Sequence, residues 1–413
     1  MRYWLVILFL FSPVVLSATT GRTLVVYHDA EYTSHLASAQ AMSMGFNTAL
    51  SEVNHQIQGY SIKLVAKDHR GNAKRSKLHM QQLLADPDAL FMLGGLHSPP
   101  YIGNRDFINQ NGLLLLVPWA AAGPITRYRG GPNWVFRVSI DDSKAGYRIA
   151  QFALDVKQCK SPHLLLENTG WGRTNHQTLS EVLKQRNTHE SGVTWFEWNT
   201  KKNVARIQLR EIIRNSSDCI IFVGNSLEGK VYAKAMASLD SDRRLPIISH
   251  WGITGGAFNL EYKKYLHNKI DLSFIQTCFS FLNSNLNPLA NKVIETATHL
   301  YPELLQQPED LPAPPGFIHA YDLGKIFLAA LNQISLTGDM VKDRELLREA
   351  LEHLKKPVQG LLKIYSPPFS PWSTFNEDAH EALGLEDLCM ANFDVDGIIH
   401  VIDNESSVKD RAR

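Results

Sequence analysis

Ser98, Trp119, Trp171 and Trp251 share one kind of position: each comes just after an apolar run of strand composition. Ser98 follows ALFMLGGLH, Trp119 follows LLLLVP, Trp171 follows HLLLENTG and Trp251 follows PIISH. Side chains just beyond the carboxyl end of a parallel strand are where open α/β sheets bind ligands. A lone buried Trp is core material. Three at strand ends, in two separate stretches of chain, read better as the aromatic walls of a cleft. Ser98-Pro99-Pro100 also has a purely structural reading, since Ser suits a helix N-cap and Pro the first helical position.

Other motifs reduce to simple turns. Gly224 to Lys230 has the spacing of a phosphate-cradling loop, but Val231 stands where Ser or Thr would hold Mg²⁺, so a plain strand-to-helix turn is expected. Asn392, Asp394, Asp396 and Gly397, with Asp403 twelfth, approach calcium-loop spacing, yet the flanks ANFD and IIHVI are strand-like and Asp-Gly favours a hairpin. His380-Glu381 lacks the second His of a metalloprotease helix, no Cys/His cluster has zinc spacing, and no Gly-x-Ser-x-Gly elbow occurs. No catalytic residues, metal or cofactor are expected. An exported enzyme would need a site hidden from motif reading.

The elements that carry these residues alternate. Strands are expected at 23–29, 60–68, 89–96 and 112–120, with helices at 39–53, 77–86 and 100–111 between them. The rhythm restarts after Phe136: helices at 146–156, 177–186, 204–214 and 229–239 alternate with strands HLLLEN, VTWFEWN, CIIFVGN and LPIISHWG. Continuous apolar strands separated by helices indicate parallel sheets covered on both faces. Two such halves imply an α/β protein of two doubly wound domains. A late helix at 320–334 carries Leu323, Ile326, Phe327, Ala330 and Leu331 on one face, and 367–385 reads as a long loop.

The chain of 413 residues is 44% hydrophobic, with 42 Lys+Arg against 41 Asp+Glu. A net charge of +1 excludes the basic footprint of a nucleic-acid binder. At the start, Arg2 precedes an apolar run over 3–11 and the small residues Ser17 and Ala18, the pattern of a secretory signal peptide over 1–18. Export permits disulfides. Cys159 with Cys219 and Cys278 with Cys389 is one pairing; buried free thiols are the other reading, and sequence leaves both open.

The stretch LGGLHSPPYIGNRDFINQNGLLLLVPWAAAGPIT, followed by GGPNWVFRVSIDDSKAG, resembles the type I periplasmic solute-binding proteins of the leucine/isoleucine/valine-binding family. The matching elements are Ser98, Gly112, Pro118, Ala120, Phe136, Arg137, Asp141 and Gly146, supported by Gly45, Ala49, Asn54 and Ala320-Tyr321-Asp322. The resemblance implies two Rossmann-like lobes joined by a three-segment hinge: 22–141 plus 281–355, and 142–280 plus 356–405. It further implies a periplasmic, monomeric receptor that closes on a small solute and delivers it to an inner-membrane ABC permease. A sensor or accessory protein using the same clamp is the alternative. Carried over residue by residue, the ligand site comprises Ser98, Trp119, Ala120, Ala121, Trp171, Asn225, His250 and Trp251. Ala121 stands where relatives have a ligand-binding Thr, and His250-Trp251 falls near their acidic residue. A lost charge-assisted bond to an ammonium costs about 1.5–3 kcal/mol, which disfavours a standard branched-chain amino acid. An amino-acid-like or aromatic solute, stacking on the indoles, is expected.

Overall fold

The computed structural model describes residues 21–283 and 286–402 of the protein. The expected signal peptide lies outside them. Fifteen strands and twelve α-helices are described. The first sheet holds β1 (Thr23–Ala30), β2 (Gln56–Ile57), β3 (Tyr60–Asp68), β4 (Ala89–Gly94), β5 (Leu115–Val117) and β6 (Val135–Arg137), in the spatial order β2-β3-β1-β4-β5-β6. All its pairs are parallel except the β2–β3 hairpin. The second sheet holds β7 (Pro162–Glu167), β8 (Gly192–Phe196), β9 (Cys219–Val223), β10 (Ile247–Ser249) and β11 (Leu272–Thr277), followed after a long excursion by β14 (Leu388–Phe393) and β15 (Ile399–Ile402). Its order is β15-β14-β11-β10-β9-β7-β8. β12 (Val358–Gln359) and β13 (Ile364–Tyr365) form a separate small hairpin.

The helices in chain order are α1 (Leu36–Ser51), α2 (Ala73–Ala85), α3 (Pro99–Gly103), α4 (Arg105–Gln110), α5 (Asp142–Asp155), α6 (Gly170–Gln185), α7 (Lys202–Arg214), α8 (Ser226–Ala237), α9 (Phe258–Glu261), α10 (Pro288–Leu300), α11 (Pro314–Leu331) and α12 (Met340–Glu352). Strands β4, β7, β9 and β11 are buried along their whole length, as apolar parallel strands must be when both faces are covered. α11 departs from its expected one-sided stripe. It is buried nearly all round and packs along α1, so it is a central helix of the first half. The close approach requires Gly45: a Cβ there would lie 2.1 Å from the Phe317 carbonyl oxygen.

One sequence expectation is corrected at the element level, and a second segment bridges the expected division. The helix expected at 100–111 is split into α3 and α4 at Asn104, whose side chain donates to Ala73 O and Pro100 O, 2.8 Å each. Residues 356–383, expected in the second half, make many of their bonds with the first: Leu361 N and Tyr365 Oη donate to Asp322 (2.6 and 2.7 Å), and His380 and Glu381 meet Glu352 and Arg137, while Asp378 also pairs with Lys144. Only β14 and β15 of that tail complete the second sheet. The turn between them is a hairpin, as expected. Asp394 Oδ1 accepts from the backbone N–H of Asp396 and Ile398, and Gly397 takes φ +76°, so the carboxylate closes the turn. The Gly224–Lys230 motif is likewise a strand-to-helix turn, with α8 beginning at Ser226.

All four cysteines are paired, Cys159 with Cys219 and Cys278 with Cys389. Among the described residues, no helix is long and apolar enough to cross a membrane.

Candidate functional site

In the first sheet, β1 leads through α1 to β3 on one side, whereas β4 leads on to β5 on the other. The crevice between β1 and β4 is therefore a topological switch point, the place where open α/β sheets present ligand sites. Glu31 and His35 follow β1, and His97 and Ser98 follow β4. Gly95 permits the two exits to converge, because a Cβ there would fall 2.8 Å from Ala30 Cα. In the second sheet the winding reverses between β7 and β9, whose ends carry Glu167 and Asn225. The two crevices face each other.

Between them lies a small cavity lined by His97, Ser98, Pro99, Trp119 and Ala121 from the first half and by Glu167, Trp171, Asn225, Trp251 and Gly252 from the second. Its free volume is about 10 Å³, room for a single water. The indoles occupy the rest. Trp119 and Trp251 meet across the cleft with ring centroids 5.3 Å apart and planes tilted by 42°, and Trp251 leans on His319 at 4.9 Å. Such offset, tilted pairs are favoured by the ring quadrupoles.

Six of the eight residues expected at the site line this cavity: Ser98, Trp119, Ala121, Trp171, Asn225 and Trp251. Two do not. Ala120 is buried behind it, with its N–H bonded to Gly95 O and its carbonyl to Arg137. His250 is fully buried, its Nε2 3.0 Å from Asp142 Oδ1, and it packs edge-on against Trp171 at 5.1 Å. The indole N–H of Trp171 donates to the same Asp142 oxygen at 3.1 Å. His250 thus orients Trp171 through a shared acceptor. Ser98 is also not the helix cap its sequence suggests. Its backbone is already helical (φ −76°, ψ −37°), and its hydroxyl oxygen accepts from Ala122 N at 3.2 Å.

Acidic and imidazole groups in the cleft escaped the sequence reading. Glu167 is the last residue of β7. Its Oε1 accepts from Thr169 (2.9 Å) and its Oε2 from Asn225 Nδ2 (3.2 Å). Burial pushes its carboxyl pKa up to about 7, outweighing the bonds from Trp198, Thr169 and Asn225 that favour the anion. A second cavity of about 110 Å³ adjoins the first, with His97 and Asn225 common to both. Glu31, Ser34, His35 and Arg70 line it on one side, Trp198, Asn199 and Glu228 on the other. Burial pushes the His97 pKa down to about 4. Burial opposes the Glu31 anion, but bonds from His35 and His97 outweigh it and hold Glu31 below the usual carboxylate range. The available signal was the strand-end rule itself, which marks Glu167 and His97 as surely as the indoles.

Arg137 fixes the floor of the cleft. Its Nη1 donates to the carbonyls of Ala120 (3.1 Å) and Ala122 (3.0 Å), while Nε and Nη2 bond Glu381 and Nη2 bonds Asp141. Across the floor, Asp142 N donates to Ala121 O at 3.0 Å, so the loop carrying Trp119 is tied to the start of α5.

Comparison with known proteins supports this architecture. A model of the periplasmic binding protein family matches residues 32–225. No curated protein sequence matches. A periplasmic binding protein type 1 of Bordetella pertussis Tohama I superposes with a TM-score of 0.75 at 16% identity, covering 92% of this chain and 99% of that one. A solute-binding protein of an ABC transporter of Rhodopseudomonas palustris HaA2, in complex with p-hydroxybenzoic acid, gives 0.74 at 12% identity and 92% and 95% coverage. A leucine-binding protein of Thermotoga maritima gives 0.70 at 14% identity and 92% and 98% coverage. With two opposed doubly wound halves and that family's sequence pattern over residues 32–225, the chain has the fold of a type I periplasmic binding protein.

Proposed function

We propose that the protein is an exported solute-binding protein that closes its two halves on one small organic molecule and delivers it to an inner-membrane ABC importer. The observation that carries this reading is the opposition of two switch-point crevices, each contributing indole and hydrogen-bonding side chains to one cleft. Any organic solute is larger than the roughly 10 Å³ left between the walls, so entry requires the halves to part and re-close around it. The walls favour an amino-acid-like or aromatic solute. A planar body stacks on Trp119, Trp171 and Trp251, and Glu167 with Asn225 offers a hydrogen-bonding end in place of the hydroxyl that Ala121 lacks. Solute-binding proteins of similar fold have been solved with p-hydroxybenzoic acid and with benzoate, ligands of this planar kind.

The test is a thermal-shift panel of amino acids, aromatic acids, amides, amines and small peptides, followed by tryptophan fluorescence on the hits. A solute present at a hundred times its Kd should stabilise the protein by about 2.7 kcal/mol and change the indole emission. A flat response across the panel would overturn the reading. A second reading, a ligand sensor or accessory protein using the same clamp without transport, is favoured by two features: the indoles nearly fill their own cleft, and the Ser98 hydroxyl already holds a backbone partner. Permease and ATPase genes beside this one would support transport, and a signalling kinase or dehydrogenase gene would support the second reading.

A further inference from the structure

We propose that Glu31, His35 and His97 form a binding site for one divalent first-row transition-metal ion, with zinc as the reference ion. The donor atoms are Glu31 Oε2, His35 Nδ1 and His97 Nε2. They stand 2.8 Å apart for Glu31–His97 and 3.3 Å apart for the other two pairs. An ion about 2.0–2.1 Å from each donor, at angles between octahedral and tetrahedral, holds the donors about 2.8–3.4 Å from one another. The triangle therefore already has the dimensions of a coordination face. Two imidazoles and one carboxylate are also the donor set that suits zinc and its neighbours rather than calcium or magnesium, which prefer oxygen throughout.

The site is built, not a chance surface grouping. The three side chains are only 2–8% exposed. They are fixed by neighbouring parallel strands, Glu31 and His35 just beyond β1 and His97 just beyond β4, at the convergence that Gly95 permits. Among the described residues, Glu31 has no Lys or Arg partner; its ion-pair neighbours are these two histidines. Without a cation, the two imidazole nitrogens stand 3.3 Å apart and both lie within 3.3 Å of the same Glu31 oxygen. A cation between them takes all three lone pairs at once. The adjoining cavity of about 110 Å³ leaves space for the remaining coordination positions, facing Asn199 and Glu228 of the second half. All three ligands belong to the first half, so the donor triangle itself does not require the two halves to close, although His97 also lines the solute cavity.

The experiment uses the full-length purified protein, stripped with EDTA and titrated with zinc chloride by calorimetry and equilibrium dialysis. One equivalent should bind with micromolar or tighter affinity and raise the melting temperature. Glu31→Gln, which preserves shape, and His35→Ala should each weaken binding at least about tenfold. His299→Ala, at an exposed position on α10, should leave it unchanged. Cobalt chloride should give the visible spectrum of a low-coordinate ion, lost in the Glu31→Gln variant. If His97→Ala does not fold, the Glu31 and His35 variants decide the matter. No saturable zinc binding, or binding that survives Glu31→Gln combined with His35→Ala in a protein with a native melting transition, would overturn the proposal.

Discussion

Arg137 is wholly buried, and its guanidinium serves two carbonyls, Glu381 and Asp141 together. Burial alone would raise the Asp141 pKa; Arg137 and Arg127 outweigh it and keep that carboxylate ionised. Removing one member of such a network strands the others, typically at about 3–5 kcal/mol. Arg137→Met should therefore lower urea-unfolding stability by about that amount, and Arg137→Met with Glu381→Leu should lose less than the single variant. Equal or greater loss in the pair would show that the ion pair is not the source. Glu167 behaves oppositely. Folded, it keeps its proton up to about pH 7, against an ordinary value of 4.5. Between these values the folded state binds more protons, so its contribution to stability falls as pH rises through that window and is lowest above it. The full shift corresponds to about 3 kcal/mol. Glu167→Gln should gain stability relative to the native protein by about 2–3 kcal/mol on going from about pH 5 to about pH 8, measured by urea unfolding at both. A pH-independent difference would remove Glu167 as the titrating group. At this scale, the residues legible in the sequence were those with a local signature, such as the strand-end indoles, Arg137 and Asp141. Glu381 lies 244 positions from Arg137, and nothing near it in sequence announces the pairing.

Helices meet where glycine removes a side chain. Gly45 of α1 lies against the Phe317 carbonyl of α11, and Gly324 of α11 lies against Ala49, where an added Cβ would come within 2.7 Å. Overpacking of this kind costs about 1–3 kcal/mol. Gly45→Ala should lose at least that much, read from the urea midpoint, despite the better helix propensity of Ala; a stabilised variant would mean the helices separate freely. The same device hid an element boundary. α6 starts at Gly170, not near 177 as the apolar spacing suggested, because its first turn, Gly-Trp-Gly-Arg, has no helical periodicity. Gly172 is there for contact: a Cβ would sit 1.8 Å from Glu167 O. That contact sets Trp171 on the first turn of a helix beside Glu167, a placement the local propensities argue against. The long parallel strands, whose apolar runs leave little choice, were legible to within a few residues.

Each disulfide ties together segments far apart in the chain. Cys159–Cys219 links the loop before β7 to β9 across 60 residues, and Cys278–Cys389 links the end of β11 to β14 across 111. Closing long loops restricts the unfolded chain, and each bridge should contribute about 2–4 kcal/mol. Replacing Cys278 and Cys389 together by Ser should lower the urea-unfolding free energy by that amount. No change would place the stabilisation elsewhere. Two α/β halves were legible because the strand and helix rhythm stops and restarts near Phe136. How closely their walls meet was not, since the width of a cleft depends on side chains from six or more strand ends at once.

The second sheet is finished by the last described strands of the chain: β14 pairs with β11 across more than a hundred intervening residues, and β15 follows it. Until those residues emerge during synthesis, β11 is an open edge flanked by apolar side chains, and α11 arrives late as well for the first half. Each half is completed by a late segment, α11 for the first and β14 with β15 for the second. One late antiparallel addition thus closes the margin of the second sheet.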